Sequence, residues 1–434
     1  MTSYHSLPPA LFTALATGGG GPEAIEALRA AQVSKHLLLI GHLLDSWPAG
    51  LPGREETTRA LERARQAAPE RFRDVIGAPL VGSWSGIATR AVEHGGAAPA
   101  EFLHLGALAV VACAAAGLDA AADVPVHDGK IVLPGLGAIE APEATAARAF
   151  AEAGHIRVRM RTPHGERATV VPGDGAGWQP VRILRGDAAG LSIDLGLDDV
   201  HPYRHGHHAP PANRLPDGEV ALWQDEFAEA WALLADLAPE RAAELGAGLR
   251  TLVPLVQENA RTARSATIRH AFGVFGLTRP PSAAEFAVTL VHEFQHSKLS
   301  ALLDLTALTD PRDEGRYFAP WRLDPRPLAG LMQGVYAFVG VTDTWRALRA
   351  APGLETLAER KFVESRLQVD RGLTSIEESG ALTADGVRLV AELRRTTDAL
   401  LAEPAAPGVV RAAEDELRHI HQGWLDRNRA GAAV

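Results

Sequence analysis

The chain reads as a mainly helical α+β protein. A small antiparallel β region is inserted between helical parts, and a strand–helix metal site lies in the C-terminal half. Three observations carry this reading. The first and last thirds repeat apolar residues at helical spacing. Residues from about 128 to 200 alternate with a period of two between Gly, Asp and Pro turns. One long apolar segment, TLVHEFQHSKL (Thr289 to Leu299), carries a His-Glu-x-x-His pattern.

The elements divide into three regions: a helical N-terminal part (1–125), a β-rich part ending in a His/Pro-rich connection (126–210), and a helical metal-binding part (211–434). Pro22 follows a Gly run at a plausible first helical position. KIVLPGLGAIEA, WQPVRILRG and GLSIDLG read as strands, as does HIRVRMRT, where Ile156, Val158 and Met160 alternate with Arg157, Arg159 and Arg161. SATIRHAFGVFGL (Ser265 to Leu277) reads as one strand before the motif.

With 434 residues, 46% of them hydrophobic, the chain has enough apolar material for a large core or for two or three domains. A net charge of -10 gives no basic field, so neither nucleic acid nor an anionic membrane is an expected partner. The single Cys113 excludes an intramolecular disulfide framework and a multi-thiolate zinc site. The start lacks a basic segment followed by a long apolar core, and Phe102 to Leu118 is short for a membrane span, so it is expected as a core helix. The expected location is the cytoplasm.

Pro280-Pro281 blocks the preceding conformation, Ser282 is placed to cap, and Glu285 completes a capping box. The motif therefore sits inside a helix starting at Ala283. His292 and His296, four apart, project from one face and are the expected metal ligands. Glu293 is rotated about 100° from His292 and flanks the ion; in peptidases that glutamate is the base for bound water. A strand, a Pro-containing turn and then this helix is a zincin-like order. No His lies between His296 and His419, so the third ligand is sought among Asp304, Asp310, Asp313, Glu314, Asp324 and Asp343. Asp343, sharing a helix face with Tyr336 and Gly340, is the choice. Two His and one carboxylate suit Fe(II) as well as zinc.

YFAPWRLDPRPLAGLMQGVYAF (Tyr317 to Phe338) adds Arg322 and Arg326, whose planar forks suit a carboxylate, with salt bridges to Asp324 as the bland alternative. Gln333 and Tyr336 are read as candidates to line the site. HEFQHSKLSALLDL followed by APWRLDPRPLAGLMQGVYAF resembles the HEXXH-motif family of peptide-modifying proteins. The likeness extends to APLVGSW (Ala78 to Trp84), IVLPGLG (Ile131 to Gly137), VHPYR (Val200 to Arg204) and SGALTADG (Ser379 to Gly386).

The resemblance implies a 2-oxoglutarate- and iron-dependent β-hydroxylase of ribosomally made precursor peptides, using O₂. The pathway would supply a further modifying enzyme, such as a radical-SAM protein, as a possible partner. It makes His292 and His296 iron ligands and the Arg322/Arg326 loop a site for the co-substrate carboxylate. It does not fix the third ligand, for which the His-rich stretch His201 to His208 is a further source. The alternatives are a zinc metallopeptidase with Glu293 as general base and a non-catalytic module that binds the precursor peptide.

Overall fold

The computed structural model describes residues 6–171, 177–205, 210–258 and 263–431. Helices hold 55% of the chain and strands 17%, so the mainly helical α+β expectation holds, antiparallel sheets included. Six helices come first: α1 (Pro9–Ala16), α2 (Gly21–Asp45), α3 (Arg54–Ala67), α4 (Pro69–Ile76), α5 (Pro79–Glu93) and α6 (Pro99–Ala115). Five of them, all but α3, carry proline in the first turn, where its missing N–H costs no hydrogen bond. The apolar Phe102 to Leu118 run forms α6, which has no polar face and is buried on nearly every side. Among the described residues no helix is long and apolar enough to cross a membrane.

The β region is built from β1 (Ala120–Val124), β2 (Lys130–Leu133), β3 (Gly137–Glu140), β4 (Ala146–Glu152), β5 (His155–Thr162), β6 (Gly165–Val171), β7 (Trp178–Pro180), β8 (Arg182–Ala188) and β9 (Leu191–Leu197). The order β1-β4-β5-β6 makes one antiparallel sheet, and β2-β3-β7 a second. Ile156, Val158 and Met160 of β5 face the core while Arg159 and Arg161 are exposed, as their alternation requires.

The remaining elements are α7 (Asp217–Leu237), α8 (Pro239–Gly248), β10 (Thr251–Pro254), β11 (Ser265–Thr267), β12 (Val274–Leu277), α9 (Ala283–Leu303), α10 (Leu328–Leu348), α11 (Glu355–Glu378), α12 (Ala384–Ala402) and α13 (Pro407–Gly431). The third sheet, β11-β12-β10-β9-β8, crosses the expected boundary near residue 210. Its β9 pairs in parallel with β10, so the last two strands of the β region belong to the same sheet as the segment before the motif. Residues of α1 and of the first part of α2, from Phe12 to Leu28, likewise share a core with α7 to α12.

The expected single strand over Ser265–Leu277 is instead an antiparallel pair. The chain turns back before Gly273, whose φ of 79° and close approach to the Gly248 carbonyl leave no room for a Cβ. This leaves β11 at the sheet edge.

Two buried histidines tie the fold to pH. Desolvation lowers His36 to about 4, although Nδ1 donates to the Ile76 carbonyl at 2.8 Å. Desolvation lowers His104 to about 3, and neither of its ring nitrogens has a hydrogen-bond partner among the described residues. The unfolded chain takes up these protons near 6.5 and the folded chain does not, so their contribution is fully present above pH 6.5. It is lost as pH falls toward 4, at a cost on the order of a few kcal/mol. Urea midpoints measured from pH 7.5 to 4 should therefore fall, and His104→Phe should flatten the slope. An unchanged slope in that variant would remove His104 from the account.

Candidate metal site

Ser282 caps α9 by accepting from the Glu285 N–H at 3.3 Å, the serine half of the expected capping box. The helix then runs unbroken through the motif, and the i, i+4 spacing brings the two imidazoles together. His292 Nε2 and His296 Nε2 lie 3.2 Å apart. Two nitrogens bound to one ion at about 2.1 Å, subtending roughly 90–110°, stand about 3.0–3.4 Å apart. The pair therefore fits as two ligands of one metal ion, in a spacing that suits either octahedral iron or tetrahedral zinc.

Gln333 of α10 sets the tautomer. Its Oε1 accepts from His296 Nδ1 at 3.1 Å, and its Nε2 donates to Ser300 Oγ at 3.2 Å. With the proton on Nδ1, His296 Nε2 presents a lone pair. Burial, then the neighbouring His296, lowers His292 to about 4, so His292 is neutral at pH 7 and free to donate a nitrogen lone pair. The Phe338 ring packs edge-on to His292 with centroids 5.6 Å apart, and Trp321 stacks on Phe338 at 4.6 Å.

Glu293 turns toward the sheet edge. Ser265 Oγ donates to Oε1 at 2.7 Å and Thr267 Oγ1 to Oε2 at 2.5 Å, while Oε1 stands 3.8 Å from His292 Nε2. These hydroxyls were not singled out in the sequence, although their i, i+2 spacing on a strand places both on one face. Ser300, one turn beyond His296, was missed in the same way.

Other expected site residues stand elsewhere. Asp343 is not at the histidines: its Oδ2 accepts from Arg241 Nε at 2.9 Å and its Oδ1 from Arg346 Nη2 at 2.8 Å. Burial opposes its charge, but the two arginines hold its carboxyl below the usual range. Tyr336 is fully buried and donates to the Leu15 carbonyl at 2.8 Å, facing α1 rather than the imidazoles. Asp304 is taken by Lys35 at 2.8 Å and Arg269 at 3.1 Å. Arg322 and Arg326 converge on Asp324, at 2.9 and 3.5 Å, which is the salt-bridge alternative.

No group of three or more His, Cys, Asp or Glu side chains arranged to hold a metal ion occurs among the described residues. In the His-rich stretch, His201 is buried beside His104 and Tyr203. His207 and His208 lie outside the described residues.

Gln333→Leu is expected to keep the fold and weaken metal binding by about 10–100-fold, because the ring of His296 loses its orienting acceptor. Calorimetric titration of Zn(II) or anaerobic Fe(II) reads this directly. Wild-type affinity in the variant would make Gln333 a packing residue. No protein-family model matches the chain, and no curated protein matches it.

Proposed function

We propose that this protein is an Fe(II)- and 2-oxoglutarate-dependent hydroxylase acting on a ribosomally made peptide. The observation that carries the reading is the His292/His296 pair, with converging Nε2 atoms 3.2 Å apart and one tautomer set by Gln333. Iron held by these imidazoles would, with 2-oxoglutarate and O₂, supply the oxidising power for inserting a hydroxyl at a peptide β-carbon. The residue-level resemblance of the motif helix and its PWR-DPRPL continuation supports iron over zinc.

The protein's own groups then have definable tasks. Gln333 orients His296. Ser265 and Thr267 hold the Glu293 carboxylate by two hydroxyl donors, which suits a positioning role better than that of a free proton acceptor. β11, at the sheet edge beside the motif helix, offers backbone groups to an extended peptide. Arg322 and Arg326 remain the candidates for the co-substrate carboxylate, in exchange for their contacts with Asp324.

A second reading, a zinc peptidase, draws on one observation: Glu293 Oε1 stands 3.8 Å from His292 Nε2, within reach of a water bound beside it. Anaerobic addition of Fe(II) and then 2-oxoglutarate separates the two. A weak visible band needing both additions and, once O₂ is admitted, a peptide product heavier by one oxygen with its chain intact are the expected results. Anaerobic cleavage of the peptide with zinc would replace the proposal by the second reading. Peptide binding that is unchanged in His292→Ala, with no turnover under either condition, would leave a non-catalytic binding module.

A further inference from the structure

Phe338 does more than pack against His292. With Trp321, which stacks on its ring, it lines a cavity of about 510 Å³ between the 317–327 loop, α10 and α11. A second cavity, of about 690 Å³ between α11 and α13, shares Glu364, Gln368 and Ile420 with the first. The two form one groove leading from Phe338, which packs on His292, to the C-terminal helix. Each is of the size that proteins use for whole ligands, about 300–1,000 Å³. Together they have room for several residues of chain, well beyond a five-carbon keto acid.

The lining is specific. In the first cavity Trp321, Phe338, Trp345 and Val341 make an aromatic and aliphatic wall. The Trp321 indole is seated against Gly334 of α10, which gives up a side chain for it: a Cβ there would lie 2.2 Å from Trp321 Cζ2. Leu323 stands at the lip, 52% exposed, an apolar side chain awaiting cover. Where the cavities meet, Glu364 is already held by Lys361 and Arg360. The Gln368 amide there makes no hydrogen bond among the described residues, leaving a donor and an acceptor for a peptide unit. In the second cavity Gly408, Ala412 and Ala413 let a chain approach α13 closely.

We infer that this groove binds the substrate peptide beside the reacting residue, with a large apolar, preferably aromatic, side chain filling the first cavity and the flanking chain lying along the second. The inference rests on the proposed function for the ligand being a peptide. Binding itself requires neither metal nor turnover.

The test uses the full metal-free chain and ligand-observed NMR with two probes. One is N-acetyl-phenylalanine amide; the other is an alanine-flanked phenylalanine peptide long enough to reach the second cavity. Leu323→Asp, at an exposed position, is expected to weaken both by about tenfold or more, since a charge replaces an apolar contact. Ala412→Trp, exposed on α13, is expected to weaken only the longer probe. A glycine-for-phenylalanine peptide that binds equally well, or probes indifferent to both substitutions, would overturn the groove. Loss of binding in His292→Ala but not in Leu323→Asp would move the peptide to the metal helix and also overturn it. Binding as expected by the metal-free chain, with no oxidation of the peptide when Fe(II), 2-oxoglutarate and O₂ are supplied separately, would remove the proposed reaction and leave the groove standing.

Discussion

Replacing Glu244 with glutamine is expected to cost about 3–5 kcal/mol of folding stability, the usual penalty for stranding a buried charge. Glu244 Oε2 accepts from Lys298 Nζ at 2.8 Å and lies 3.4 Å from Arg241 Nη1, while Oε1 accepts from the Gly21 N–H at 3.2 Å. Both cations also grip the Gly run that joins α1 to α2. Lys298 donates to the Gly19 carbonyl and Arg241 to the Gly18 carbonyl, each at 2.6 Å. Lys298 has no exposed surface, and burial already lowers it to about 8 despite its carboxylate partner. Without the Glu244 charge, two buried cations would share Asp343 alone.

Chemical denaturation of Glu244→Gln reads the loss. The double variant Glu244→Gln/Lys298→Met should regain part of it, because a matched apolar replacement leaves no charge unpaired. Equal stability of Glu244→Gln and wild type would mean that this network does not hold the motif helix to the N-terminal loop. The consequence extends to the site, since Lys298 is two residues beyond His296 on α9.

What the sequence made legible was local. Four-residue spacing and a capping box sufficed to place His292 and His296 on one face of a helix from Ala283, because both features act within one or two turns. The same reasoning put Asp343 on a face with Tyr336 and Gly340. What covers that face was decided by distant chain. Gly18 and Arg241 pack there, and Gln295 crosses to it, donating to the Gly18 carbonyl at 2.8 Å. The side of α10 turned to the imidazoles carries Gln333 and Phe338 instead.

The strand break at Gly273 was hidden for a similar reason. The β-branched and aromatic pattern continues through it, while the close approach to the Gly248 carbonyl is set by chain distant in sequence. The β8–β9 hairpin was recognisable from alternation. Its parallel pairing with β10, more than fifty residues on, was not, because parallel register depends on a long crossover rather than a local turn.

His292→Ala and His296→Ala are each expected to abolish metal binding and turnover while leaving the metal-free fold intact. Both rings are partly exposed, and their hydrogen bonds run to one another and to Gln333, so little core packing is lost. The informative comparison is thermal stability with and without metal. An ion that binds only the folded chain stabilises it by RT ln(1 + [M]/Kd), about 2.7 kcal/mol at a hundredfold excess over Kd. Wild type should show that rise with Fe(II) or Zn(II), and either alanine variant should show none, because the two converging imidazole nitrogens are what the ion would share. A variant that keeps the metal-induced rise would place the ion elsewhere and sink the assignment. A variant that loses the rise but keeps full oxidation of the peptide would separate the metal site from the chemistry, and the assignment of the reaction to this site would fall.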